Sequence, residues 1–351
     1  MLNENSAGGV TGFVVVGAEH CEASHIAFMA RQARGLVCLA MTRNRCAELE
    51  LPLMVESDDS QSPFTLSIEA ATGIDTGISA ADRARTVRVA VDSATRPADL
   101  VQPGHIFPIS AAEGGVLTRT APAEAAIDLA TLAGLTPAAV FTEVLDSAGA
   151  VADAPFLAQF AAQHELVVGR VSELVTYRLT NQKTIEKVRR GALQSRYGEL
   201  DLHAYRDTTH GRIHLALTKG NIEPDSPTQV RVHVTAVFRD LVGTTLEDHM
   251  SWSFDASLKA IAEAESGVLV LLRRPETVED LLGDIDRVLG RTETDGIANA
   301  DGYNQIGMGA QILRDLGVGK IHLLGAPVKY NALAGFGLEV VDFVAPQDSQ
   351  G

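Results

Sequence analysis

Through the first 170 residues, short apolar runs alternate with amphipathic stretches: TGFVVVG, HIAFMARQAR, GLVCLAM, RVAV, HIFPIS, AEAAIDLATLAG, AVFTEVL, APFLAQFAAQHE and LVVGRV. Short β-branched runs suit strands, and apolar positions three and four apart suit helices, so this order predicts an α/β domain. Residues 172–190, SELVTYRLTNQKTIEKVRR, read as a helix running into a polar linker with Gly191 as its stop. The expected division is a first domain over residues 1–180, a linker over 181–190 and a second domain over 191–351.

The second half opens with ELDLHAYR, RIHLALTK and QVRVHVTAVF, whose period-two alternation suits half-buried antiparallel strands. A helix from Phe254 to Glu265, closed by Gly267, leads into the strand VLVLL. QIGMGAQILRDLG then leads into KIHLLG and later LEVVDFV. An antiparallel start followed by helix and strand units predicts a separate α+β or α/β domain.

Composition narrows the partners. Forty-five acidic against 29 basic residues give a net charge of −16, which argues against non-specific nucleic-acid binding. The basic cluster Lys183, Lys187, Arg189 and Arg190 reads as a solvated connector face. No apolar run approaches the roughly 20 residues of a membrane span, and MLNENSAGGVTG lacks the basic start and apolar stretch of a signal peptide. A cytoplasmic location with no membrane partner is therefore expected. Cys21, Cys38 and Cys46 are odd in number and lack a paired CxxC spacing, so they read as reduced, packing thiols.

Several stretches of the first half, in order, carry a resemblance: GLVCLAMTRNRC, TGIDTGISAADRARTVRVA, QPGHIFP, EGGVLTR and AEAAIDLATLAGLTPAAVFTEV. They resemble 3,4-dihydroxy-2-butanone 4-phosphate synthase of riboflavin biosynthesis. YGELDLHAYRD, HLALTKGNI, VRVH, GMGAQILRDLGVGKIHLL and GFGLEVV in the second half are similar to GTP cyclohydrolase II. The whole chain thus resembles the fused two-domain riboflavin-pathway protein, which implies a synthase-like α/β domain, a cyclohydrolase-like α+β domain and a homodimer.

The synthase resemblance implies a magnesium enzyme that rearranges ribulose 5-phosphate, with a hard cation on oxygen ligands stabilising an enediolate. The family places an acidic loop of the type DDEDRENEGD after its first strand, whereas here VVVGAEHCEASHIAFMA passes directly from strand to helix. Its metal histidine lies in a run of the type RxGHTEAA. This chain reads Arg119-Thr120-Ala121-Pro122-Ala123-Glu124, so Pro122 takes the histidine's place and Ala123 the threonine's. Locally the proline is well placed, because Thr120 or Ala121 can cap and a first-turn N–H has no intrahelical partner. Three polar positions persist. By resemblance Arg119 would face a substrate phosphate, Glu143 would be an active-site acid or base, and His105 would sit near the site; each also fits a purely structural role. His20, Cys21, Glu22 and His25 share helical spacings and are the candidate replacement ligands.

The cyclohydrolase resemblance implies zinc on three cysteines activating a water. No cysteine follows Cys46, and Ala236, Asp248 and Met250 fall at those places. Asp248, His249 and His233 offer an oxygen and nitrogen set at a different spacing. The family's RQEGRGIGL run is here Arg273 to Leu281, where Glu279 and Asp280 would repel phosphate. Asn304 takes the place of the catalytic arginine, and the TNN segment becomes LLGAPVK with Pro327 and Lys329. The leading expectation is a homologue without either activity that binds a riboflavin-pathway enzyme or a phosphorylated small molecule. No cofactor is expected unless replacement ligands hold magnesium or zinc. The alternatives are metal-free chemistry on a sugar phosphate by His105, Arg119 and Glu143, or weak synthase activity.

Overall fold

The computed structural model describes residues 1–4, 9–55, 63–243, 252–273, 278–289, 291, 300–325 and 333–345. The chain divides into two compact units, Met1–Val175 and Thr176–Gly351.

In the first unit the strands are β1 (Leu2–Glu4), β2 (Val10–Gly17), β3 (Cys38–Thr42), β4 (Ile68–Ala70), β5 (Leu100–Ala111) and β6 (Ala138–Glu143). Its helices are α1 (Ala23–Phe28), α2 (Arg43–Glu48), α3 (Ala80–Val91), α4 (Pro122–Leu132), α5 (Ala154–Gln163) and the start of α6 (Val171–Asn181). They build a six-stranded sheet in the order β1-β2-β6-β3-β5-β4. β3 is its centre, parallel to β5 and antiparallel to β6. CLAM is apolar at every position because both faces are covered. Leu39 and Met41 pack with Ile26, Met29, Val87 and Ile106 beneath α1 and α3. Cys38 and Ala40 pack with Ala123, Ala126, Ile127 and Phe141 beneath α4.

In the second unit β7 (Ile185–Ser195), β8 (Gly198–Asp207), β9 (Ile213–Lys219), β10 (Thr228–Val234), β11 (Gly267–Leu272), β12 (Lys320–Leu324) and β13 (Glu339–Val344) form a seven-stranded sheet. Its order is β13-β12-β10-β11-β9-β8-β7. Its helices are α7 (Phe254–Glu263), α8 (Val278–Val288) and α9 (Ala300–Asp315). α7 packs Leu258 and Ile261, beside Trp252, onto Leu200, Leu217 and Leu269. α9 packs onto β11 and approaches β10 closely through its GMG run. A Cβ on Gly307 would come within 2.4 Å of Leu179, and one on Gly309 within 3.1 Å of Val232. Gln311, buried on the same helix, donates to the carbonyls of Leu179 and Gln182 and accepts from Thr184 N, fixing the α6–β7 connection to α9.

The structure departs from the sequence expectations at five places. Residues 185–190, expected within a linker, belong to β7, and Gly191 lies inside that strand rather than stopping a helix. Their charges mask strand character because β7 is an edge with little to bury. β10 is not antiparallel: it runs parallel to both β11 and β12 at the centre of the sheet. RVAV is the last turn of α3, and LVVGRV forms no strand, with Val167 97% exposed. Finally, β1 precedes β2 as its antiparallel partner, so VVVG belongs to the second strand of the chain, and residues 5–8 between the two strands lie outside the described residues.

Leu39, fully buried at the centre of β3, should cost about 2–5 kcal/mol when replaced by alanine. Chemical denaturation followed by far-UV circular dichroism would measure the loss.

Candidate functional site

In the first unit, β3 fixes where the three retained polar positions lie. Cys38 is level with Phe107 on β5 and with Phe141 on β6, so two residues earlier His105 and Glu143 flank position 36 at one end of the sheet. Two strand spacings separate their backbones by roughly 10 Å. His105 is half exposed, and its Nδ1 lies 2.6 Å from Glu69 Oε1. Glu143 ends β6, and partial burial raises its carboxyl above the usual range.

Arg119 belongs to the opposite end. Its guanidinium pairs with the fully buried Glu124, which also accepts from Ala112 N at 2.8 Å. Ala112 directly follows Ala111, the partner of Thr42. Seven residues of strand separate it from His105, roughly 20 Å. Within one chain, therefore, Arg119 does not converge with His105 and Glu143. Pro122 opens α4 behind Ala121 at the N-cap. The loop before it is held instead by α4's own acids: Glu124 on Ala112 N, and Asp128 on Val116 N at 2.9 Å. None of the three lines the cavity of about 900 Å³ formed by apolar residues that include Val10, Phe13, Leu129, Leu157, Phe160 and Leu174.

The EHCEASH residues are each occupied locally. Glu19 accepts from the N–H and hydroxyl of Thr136 at 3.0 and 2.6 Å. His25 Nδ1 caps its own helix by accepting Glu22 N. Cys21 is in the core. Burial pushes the thiols of Cys21 and Cys46 up to about 11 and that of Cys38 to about 12, so these sulfurs are inert packing groups, as thiolate reactivity requires the opposite shift. Among the described residues, no three His, Cys, Asp or Glu side chains form a group able to hold a metal ion.

The second unit gathers its chemistry around a residue that sequence reasoning passed over. Asp240, 5% exposed, is reached by His233 Nε2 at 2.9 Å, Arg239 Nε and Nη2 at 3.0 Å, Ala236 N at 2.8 Å and Phe254 N at 2.9 Å. It ties the end of β10 to the start of α7. Burial works to raise its carboxyl, but the hydrogen bonds from His233, Arg239 and the two backbone N–H groups outweigh it and hold the group far below the usual carboxylate range. Ala236 thus contributes only a backbone donor. His233 is fully buried and stacks edge-on to Phe254 at 5.7 Å. Burial lowers its pKa, as it does those of His203 and His214.

Arg273 is exposed at the end of β11, and its N–H donates to His214 Nδ1 at 3.0 Å. Asp248, His249, Met250, Pro327 and Lys329 lie outside the described residues, and Asn304 is on α9 with its side chain outside them. Asp240 and Glu124 were missed because each looks like an ordinary surface acid. The available signals were the FRD sequence seven residues after His233 and the AEAA start of α4.

Two family comparisons agree with this architecture. The 3,4-dihydroxy-2-butanone 4-phosphate synthase family matches residues 4–177, and the GTP cyclohydrolase II family matches residues 186–345. The chain belongs to the two-domain riboflavin-biosynthesis family that joins a 3,4-dihydroxy-2-butanone 4-phosphate synthase domain to a GTP cyclohydrolase II domain. A relative from Pseudomonas syringae pv. tomato, named 3,4-dihydroxy-2-butanone 4-phosphate synthase, is 44% identical over 95% of this chain and 91% of its own length. The riboflavin biosynthesis protein RibBA of Aquifex aeolicus is 38% identical over 95% of this chain and 85% of its own. Among solved structures, RibBX of A. baumannii, a two-domain 3,4-dihydroxy-2-butanone 4-phosphate synthase, superposes with a TM-score of 0.81 at 39% identity, covering 98% of this chain and 95% of that one. No described helix is long and apolar enough to cross a membrane.

Replacing Asp240 by alanine should strand His233 and Arg239 in a buried setting and cost about 3–5 kcal/mol. Trp252, the only tryptophan, is buried beside this hub and reports the loss by fluorescence. The depressed histidines set the pH dependence. Below the ordinary value of about 6.5 the unfolded chain takes up protons that folded His203, His214 and His233 resist, so stability falls with pH. The Trp252 unfolding midpoint should drop between pH 7.5 and pH 5, whereas the contribution of Asp240 stays complete over that window and is lost progressively only below the ordinary carboxylate value of about 4.

Proposed function

We propose that this member of the riboflavin-biosynthesis family acts by binding rather than by either parent reaction. The carrying observation is the division of the first-domain site. Arg119 is neutralised by Glu124 at one end of the sheet, His105 and Glu143 lie at the other, and Pro122 stands where the family resemblance calls for a metal histidine. In the second domain, Asp240 closes the end of β10 with hydrogen bonds to the chain itself. The described residues offer magnesium and zinc no ligand set. The binding target is a riboflavin-pathway enzyme or a phosphorylated small molecule, and the fold serves as the recognition surface.

A second reading is favoured by the relatives' names. Relatives 42–44% identical over 95% of this chain are named for the synthase alone. On that reading the first domain keeps synthase activity, and the second domain is the one without its reaction.

Purified protein incubated with ribulose 5-phosphate and magnesium, then with GTP and zinc, separates these readings. Release of formate from neither substrate is expected. Turnover of ribulose 5-phosphate near 1 per second, within the ordinary range of enzymes, would establish the second reading and remove the first. Calorimetric titration with ribulose 5-phosphate should show binding without turnover if the target is a phosphorylated molecule.

A further inference from the structure

We propose that the pocket where α6 ends, β7 begins and α9 ends is a binding site for a phosphate monoester. Its volume is about 460 Å³, and Leu179, Asn181, Gln182, Lys183, Arg314 and Phe336 are among its walls. That volume lies in the usual range of small-molecule pockets and suits a sugar phosphate or a mononucleotide. The described lining residues all belong to the second unit. Arg314 is ten residues along α9 from Asn304, roughly 15 Å. The pocket is therefore apart from the end of the helix where the cyclohydrolase resemblance puts a catalytic arginine.

The fold has already used most of the acceptors here. The Asn181 amide donates to the Tyr177 carbonyl at 2.8 Å, and Gln182 Oε1 accepts from Arg178 Nε and Nη2 at 3.0 and 2.8 Å. Gln311 is spent on the α6–β7 connection. Asp315, the only carboxylate among the described lining residues, accepts from Lys183 Nζ at 3.1 Å, Lys187 Nζ at 2.9 Å and the Tyr205 hydroxyl at 3.0 Å. What is left is chiefly donors: the remaining N–H groups of Lys183, Gln182 Nε2, and the Arg314 guanidinium, which is exposed and has no ion-pair partner among the described residues. A guanidinium fork and an ammonium lining one pocket suit the oxygens of a phosphate.

The charge balance separates this site from a purely structural one. A cation in a helix's last turn ordinarily answers the macrodipole, and α6 and α9 both end here, each contributing about half a negative charge. With Asp315 that makes about two negative charges. Arg314, Lys183 and Lys187 bring three positive ones, leaving a positive surplus in a chain whose net charge is −16. Leu179, Phe336 and the Asn181 carbonyl oxygen remain to meet the rest of the ligand.

This site deepens the binding reading above and rests on its phosphorylated-molecule arm. The native thiols are buried, so Asn181→Cys in the full chain places an exposed, reactive thiol on the pocket wall. Ribulose 5-phosphate, guanosine 5′-monophosphate and inorganic phosphate are titrated against its alkylation by iodoacetamide, with ribulose as the unphosphorylated control. Protection by one or more of the three phosphates and none by ribulose is expected, and the order among them tells a sugar phosphate from a nucleotide or free phosphate. Adding Arg314→Ala should weaken protection about fivefold or more, the loss of a charge-assisted hydrogen bond. Lys259→Ala removes the same charge from the exposed side of α7 and should leave protection unchanged, with Trp252 fluorescence checking each fold. Lack of protection by all three phosphates, or protection indifferent to Arg314→Ala, would overturn the site; if Arg314→Ala does not fold, Lys183→Ala is read in the same way. Calorimetric binding of ribulose 5-phosphate without protection would remove this site and keep the binding reading. Formate release with protection intact would do the reverse.

Discussion

Both halves of the protein depend on central strands that must be apolar on two faces at once. Cys38 to Met41 in β3 are buried from both sides, as are Val268 to Val270 in β11 beside Val230 of β10. A strand in that position contributes nothing to water, and every neighbour is chosen to cover it. The helices α1, α3 and α4 around β3, and α7 and α9 around the second sheet, are the cover. The strand ends and the loops beyond them face no such requirement.

The polar residues that do remain are used to hold the chain together. Glu124 and Asp128 enter the interior of α4 only because each accepts a backbone N–H from the loop before it, and Glu124 also meets Arg119. A buried carboxylate without such partners would be strongly disfavoured. Asp240 follows the same rule with a larger set of donors, joining β10 to α7. Tyr205, fully buried, donates to Asp315 at 3.0 Å, and Lys183 and Lys187 meet the same carboxylate. In each case the acid is the hub and the donors come from separate elements. A hub of this kind fixes geometry well, although at Glu124 only Oε1 takes the donors and the buried Oε2 has no hydrogen-bond partner among the described residues.

The unequal exposure of the sheets has a further consequence. In the second sheet β13, β12, β10 and β11 run parallel, and the β11–β9–β8–β7 side is antiparallel. Parallel strands need helical cover on both faces, and antiparallel ones do not. β7 can therefore be charged, bulged and open along its outer edge without loss to the core.

Apolar runs and glycine positions by themselves determined the α/β character, the two domains and most of the elements, because a strand buried on two faces has few alternatives. GLVCLAM, AVFTEVL and VLVLL could hardly be anything else. QIGMGAQILRDLG was legible as a helix, although only the structure showed that its glycines let α9 approach β10 and α6. Tertiary structure alone decided that IEKVRR is a strand, since an edge strand needs no apolar pattern, and that β10 is parallel, since alternation along a strand does not encode its neighbour's direction. It also decided the site. Arg119, His105 and Glu143 were readable as candidates by their chemistry, but sequence carries no distance. The pairing of β3 with β5 and β6 places them at opposite ends of one sheet, and Glu124 and Asp240 gained their roles only when folding brought their donors to them.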